Sequence, residues 1–127
     1  MEEGHVNCNI DQRGLATIEF GHPSSNALPG KILGKLAKAI TEISSDPSCK
    51  LILLKSAGNR AFCAGASFDE LIAIENIEDG KTFFSGFAKV INACRTSSKL
   101  IIGRIHGKAV GGGVGIASAM DYAFATE

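Results

Sequence analysis

The chain has 127 residues, 45% of them hydrophobic, and thirteen basic side chains balance thirteen acidic ones. That length and apolar share suit one globular domain over 1–127. A neutral chain without a basic cluster gives no electrostatic case for nucleic acid or a membrane surface. No apolar run approaches the roughly 20 residues of a membrane span. The start, Met1-Glu2-Glu3-Gly4-His5, is acidic and polar, unlike a signal peptide. Cys8, Cys49, Cys63 and Cys94 form no CxxC pair and have no histidine at metal-ligand spacing. Reduced thiols, no metal and a cytoplasmic location are the expectation.

Gly14 to Phe20 reads as a strand with partial alternation. His22-Pro23-Ser24-Ser25-Asn26 is turn chemistry, and Pro29 suits the first turn of a helix. That helix carries Ile32, Leu33, Leu36, Ala37, Ile40 and Ile43 at a 3.6-residue period, and Asp46-Pro47 stops it. Leu51 to Leu54 is a short apolar run, as in a strand buried on both faces. After a loop punctuated by Gly58 and Gly65, Asp69 to Ile74 reads as a short helix and Asn76 to Lys81 as a polar loop. Phe83, Phe84, Phe87, Val90, Ile91 and Cys94 form a second helical stripe. A strand at Leu100 to Ile105, a glycine run, a helix through Ile116 to Met120 and a short run Tyr122 to Ala125 complete the series. Strands alternating with helices imply an α/β fold with a largely parallel sheet.

The run Gly111-Gly112-Gly113-Val114-Gly115 lies between a strand and a helix. Backbone without Cβ atoms can approach a ligand closely, and a helix start offers unpaired N–H donors and partial positive charge. The run is therefore a candidate cradle for negative charge, either a phosphate or an oxyanion formed in catalysis. A P-loop would need Ser or Thr after Gly107-Lys108, where Ala109 stands. A dinucleotide fingerprint would need Gly or Ala at 116, where Ile116 stands. A third possibility is that the glycines only permit close packing of helix on strand. The second candidate is the small-residue loop Asn59 to Phe68, which follows another strand. Two such loops could each aim one backbone N–H at a single oxygen.

Three segments occur in order: His22-Pro23-Ser24-Ser25-Asn26-Ala27-Leu28, Ala61-Phe62-Cys63-Ala64-Gly65-Ala66, and Ile105-His106-Gly107-Lys108-Ala109-Val110-Gly111-Gly112-Gly113. Together they resemble the enoyl-CoA hydratase/isomerase (crotonase) family, over about Val6 to Glu127. The resemblance implies an α/β spiral of ββα units, of which 1–127 is the N-terminal part. It also implies an acyl-CoA thioester substrate, with hydration of an α,β-unsaturated acyl-CoA as the reaction. By position, Ala66 and Gly112 supply the oxyanion-hole N–H groups. Ala64, Ala66, Ser67, Phe68 and Asp69, with Gly112, line the coenzyme A path. No further cofactor is implied, since coenzyme A arrives with the substrate.

Two departures stand out. Many family hydratases carry a catalytic Glu where this chain has Gly115, and their second Glu lies in a segment these residues do not include. The Gly-Gly-Gly-Val-Gly form resembles the methylglutaconyl-CoA hydratase-like branch. Ser67 stands where many members have Asp. The chain is thus expected to hold an oxyanion hole without an acid or base, and to be catalytically poor alone. An acyl-CoA-binding fragment without activity is the alternative, with a dinucleotide-binding domain third. His106, Asp69, Glu70 and Asp121 are read as structural or solvated, and Cys63 as an unactivated thiol. Lys31, Lys55, Arg60 and Lys108 are candidates to meet coenzyme A phosphates, with solvated surface as the default for each. Apolar faces of the sheet and of the helix bearing Phe83, Phe84 and Phe87 imply a homo-oligomer, and the resemblance implies a trimer or hexamer at full length.

Overall fold

The computed structural model describes residues 3–127. Its main sheet has five strands in the order β1-β2-β4-β6-β7. These are β1 (His5–Ile10), β2 (Leu15–Gly21), β4 (Leu51–Ser56), β6 (Ile101–Ile105) and β7 (Tyr122–Ala125). The last four are mutually parallel, as the alternation of strands and helices predicts. A second, small sheet pairs β3 (Ala27–Leu28) with β5 (Gly65–Ala66) in parallel, through Ala27↔Gly65 and Leu28↔Ala66. An isolated parallel bridge, Cys63↔Ala109, stands beside it. The helices are α1 (Gly30–Ser44), α2 (Phe68–Ile72), α3 (Ile77–Thr96) and α4 (Gly112–Ser118).

The chain therefore repeats one unit. A strand in the large sheet is followed by a short extended segment, then by a helix: β2-β3-α1, β4-β5-α2-α3, and β6, the Ala109 bridge and α4. This is the expected ββα spiral.

Inward-facing residues of the sheet (Ala16, Ile18, Phe20, Ile52, Leu54, Ile101) meet Ile32, Leu33, Leu36 and Ile40 of α1 and Val90 of α3 in one buried core. Each such aliphatic side chain contributes about 1.5–3 kcal/mol by leaving water. Phe20 and Phe62 close the core edge to face, with centroids 5.4 Å apart.

Four local expectations are corrected. β1 is a strand, antiparallel to β2, in a segment to which the sequence reading assigns no element. The segments 27–28 and 65–66 are strands rather than loop, because each supplies the other's partner. α3 begins at Ile77 inside the segment read as a loop; the Asn76 side chain accepts from Asp79 N at 2.8 Å and caps it. α4 begins at Gly112, within the glycine run. The three phenylalanines of α3 also differ among themselves: Phe84 is exposed, while Phe83 and Phe87 are half-buried.

Candidate functional site

Two loops meet at the carboxyl ends of β4 and β6. Residues 62–66 follow β4, and 108–113 follow β6. Lys108 O accepts from Phe62 N at 2.9 Å and from Cys63 N at 3.2 Å, and Val110 N donates to Cys63 O at 3.0 Å. The approach is close enough to demand glycine at two positions. Gly65 has φ +97°, and a Cβ there would come 3.0 Å from Val110 O. A Cβ on Gly113 would come 2.5 Å from Cys63 O. Glycine at 65 and 113 thus serves packing, while glycine at 112 opens the helix.

Gly112 is the first residue of α4, so its N–H belongs to the group a helix leaves without an internal acceptor. A Cβ built on Gly65, next to Ala66, would lie 3.9 Å from Gly112 N. The structure therefore places Ala66 and Gly112 on adjoining loops. The Phe87 ring covers the other side of Gly112, with ring carbons 2.6 Å from where its Cβ would stand.

The remaining residues expected to line the coenzyme A path share one cleft of about 520 Å³. Ala64, Ala66, Ser67, Phe68 and Asp69 line it together with His22, Ser24, Ala27 and Pro29. Gly112 is not among the residues lining it. Ser67 caps α2 by accepting from Glu70 N at 3.3 Å. The Glu70 carboxylate takes Gly30 N at 3.0–3.1 Å and so ties α2 to the start of α1. Glu70 is thus a cap across two helices.

In the sequence, Asn26 reads only as part of a turn. It is buried, 5% exposed, with φ +60°. Its Nδ2 donates to Ala57 O at 2.9 Å and Ala61 O at 3.0 Å, and its Oδ1 accepts from His22 N at 2.8 Å. One amide therefore pins the loop before Cys63 to the loop carrying His22. An asparagine in a Pro-Ser-Ser-Asn turn is the signal that could have found it, since Asn tolerates the left-handed conformation.

Other candidates fall into structural roles. Cys63 is fully buried, and burial pushes its thiol up from the ordinary value, opposite to an activated nucleophile. Asp121 accepts from Ile101 N at 2.7 Å and joins the starts of β6 and β7. Lys55 pairs with Glu19 at 3.5 Å. Arg60 and Lys108 are exposed. His106 directly follows β6, with both ring nitrogens buried and unpartnered among the described residues. Burial, then the charges of Arg104 and Lys55, hold its pKa below the usual value. The described residues include no helix long and apolar enough to cross a membrane and no metal-holding group of three or more His, Cys, Asp or Glu.

This architecture, a ββα spiral with two small-residue loops locked at the strand ends, is that of a crotonase-type fold. The model of the enoyl-CoA hydratase/isomerase family matches residues 11–127, and the chain belongs to that family. It is 30% identical to the short-chain-enoyl-CoA hydratase of Clostridium acetobutylicum over 95% of this chain and 47% of that protein. It is 32% identical to the mitochondrial methylglutaconyl-CoA hydratase of Mus musculus over 87% of this chain and 35% of that protein. The crystal structure of an enoyl-CoA hydratase from Mycobacterium smegmatis superimposes with a TM-score of 0.87 at 29% identity, over 94% of this chain and 47% of that one. The chain thus spans less than half the length of these relatives.

Proposed function

We propose that this chain forms the thioester-holding half of an acyl-CoA enzyme. Main-chain N–H groups of Ala66 and Gly112 donate to the carbonyl oxygen of the bound thioester. The cleft between His22 and Asp69 takes the coenzyme A portion against small side chains. The observation that carries this is the locking of residues 63–66 onto 109–113 with the start of α4 at Gly112. Donors fixed in advance stabilise an oxyanion without reorganising, and each can contribute several kcal/mol in a dry site. The α4 dipole adds partial positive charge at the same end.

The reaction proposed for the whole enzyme is hydration. Water adds its oxygen to the β-carbon and a proton to the α-carbon of an α,β-unsaturated thioester, through an enolate. Gly115 carries no group that moves a proton, so the acid and base lie outside these residues. The chain alone should then bind acyl-CoA and turn it over poorly. An acyl-CoA-binding role without catalysis rests on the same geometry.

A paired substitution tests the donor at 112. Phe87→Ala makes room for a side chain there. In that background, Gly112→Ala keeps the N–H, whereas Gly112→Pro removes it at the helix position where proline is best tolerated. Calorimetry with a short-chain acyl-CoA should show binding to the alanine form and at least tenfold weaker binding to the proline form. Equal binding by both would remove Gly112 from the oxyanion hole. Hydration of crotonyl-CoA by the unmodified chain at a rate typical of hydratases would overturn the assignment of acid and base to residues outside it.

A further inference from the structure

Between the end of β4 at Ser56 and Ala66, the chain forms no helix and only the two-residue strand β5. Such a segment has little regular structure of its own, so its course is set by what its backbone bonds to. Two other parts of the chain hold it. The loop after β6 takes its middle: Lys108 O accepts from Phe62 N and Cys63 N, and Arg60 O lies so near Gly107 that no Cβ fits between them. The three residues Asn26-Ala27-Leu28 take the rest. Asn26 Nδ2 donates to Ala57 O and Ala61 O, while Ala27 and Leu28 pair with Gly65 and Ala66. One tripeptide thus registers the start, the middle and the end of the loop.

The residue type suits this task. Both groups at Nδ2 are carbonyls and the group at Oδ1 is an N–H, so the amide has one orientation and all its donors are engaged. An aspartate would turn an oxygen toward two carbonyls, and a serine would offer one donor in place of two. Asn26 is buried and its partners are main-chain groups of this chain, so these bonds do not depend on what packs outside. A fully satisfied buried polar group specifies one arrangement. Ser24 and Ala27 line the cleft, whereas Asn26 does not.

We propose that Asn26 is a positioning residue for the Ala66 N–H: its amide fixes the course of residues 57–66 and so the place of that N–H relative to the N–H of Gly112. Its bearing on the thioester rests on the donor role proposed above for Ala66. Asn26 acts through the loop and not on the substrate. Preorganised donors work only within about 0.5 Å and about 10–20° of the productive geometry. A misplacement of about 1 Å can cost about a hundredfold in rate.

Two variants of the 127-residue chain separate positioning from stability, both in a Gly34→Ala background that favours the helix α1. Asn26→Gly removes the amide and accepts the left-handed backbone. Ile40→Val trims the buried face of α1 at a residue that does not line the cleft. Without ligand, residual dipolar couplings read the direction of each N–H. That of Ala66 should change in Asn26→Gly and stay in Ile40→Val. With butyryl-CoA labelled at the thioester carbonyl, the infrared band should fall to lower wavenumber on binding to the background chain. In Asn26→Gly it should fall by less, with about tenfold weaker binding, the worth of one hydrogen bond. Band position belongs to the bound molecule and does not follow the fraction of chain folded. In the unmodified chain, butyryl-CoA should also slow exchange of the Asn26 Nδ2 hydrogens, since coupling between two sites is reciprocal; this readout needs no variant. An unchanged Ala66 coupling in Asn26→Gly would overturn the proposal, as would an equal carbonyl band in Asn26→Gly and the background chain, or unchanged Nδ2 exchange with ligand bound. If the Ala66 coupling follows Asn26 while butyryl-CoA fails to bind or its band does not move, the positioning stands and the donor role of Ala66 falls.

Discussion

A Cβ placed on Gly113 would stand 2.5 Å from the carbonyl oxygen of Cys63 and 2.9 Å from its Cβ. The first turn of α4 is thus seated on backbone of the neighbouring loop, which cannot swing aside as a side chain would. Gly113→Ala should destabilise the fold by about 3 kcal/mol, as overpacking against fixed atoms does. Gly115→Ala, two residues on, would touch only Ile91 Cδ1 at 3.0 Å, the end of a flexible side chain. It should be neutral or stabilising by up to about 1 kcal/mol through helix propensity. Urea denaturation of both variants checks the contrast, and equal losses would refute the seating.

Asn26 predicts a graded series. Asn26→Ala removes the partners of Ala57 O, Ala61 O and His22 N and leaves a side chain at φ +60°. Unpaired buried groups cost about 1–3 kcal/mol each at the upper limit, so a loss of about 3 kcal/mol is expected. Asn26→Gly loses the same bonds but accepts the left-handed backbone, and should be less harmful by about 1 kcal/mol. If glycine proved the worse of the two, the backbone component would be wrong.

His106 gives the fold a pH dependence. Burial first, and then the charges of Arg104 and Lys55, lower its pKa in the folded state. The folded chain then binds fewer protons than the unfolded one near and below the ordinary histidine pKa of 6.5. The stability tied to its neutral form is therefore present above that value and is lost as pH falls through it. The urea midpoint should rise from about pH 5 to about pH 7, and His106→Asn should flatten that rise. Both ring nitrogens are buried and, among the described residues, without a partner, so an added proton there would be neither hydrated nor hydrogen-bonded. An unchanged slope in His106→Asn would assign the effect to another group.

Gly34 lies on the exposed face of α1, with nothing within 4 Å of where a Cβ would stand. Gly34→Ala should raise stability by about 0.5–1 kcal/mol by restricting the unfolded chain and favouring the helix. Thermal melting checks it, and the variant suits a background in which the weaker substitutions above can be studied folded.

Elements with an apolar period of their own were legible in the residues. The stripe from Ile32 to Ile43 marks α1, and the runs at 51–54 and 100–105 mark β4 and β6. Two kinds of element were not. β3 and β5 hold two residues each and exist because Ala27 and Leu28 find Gly65 and Ala66 across some forty residues of chain. After Ile77, the opening of α3 (Glu78-Asp79-Gly80-Lys81) is polar and carries no stripe, so only the Asn76 cap betrays it. The strand β1 did leave a trace in the alternation of Val6, Cys8 and Ile10 with polar residues.

The candidate site divides the same way. Ala64 to Asp69 is contiguous and visible as a small-residue loop. The rest of its lining, from His22 to Pro29, lies some forty residues earlier in the chain and is brought beside it by the pairing of β3 with β5 and by the Asn26 amide.

The burial of Cys63 makes it an internal clock. Its sulfur lies fully enclosed beneath the junction of the two loops, with Gly65 O 4.0 Å away. An alkylating reagent can reach it only when residues 63–66 part from 109–113. The rate of its modification, set against that of exposed Cys8 in the same molecule, therefore counts how often the junction opens. Any ligand that bridges the loops should lengthen the interval between openings.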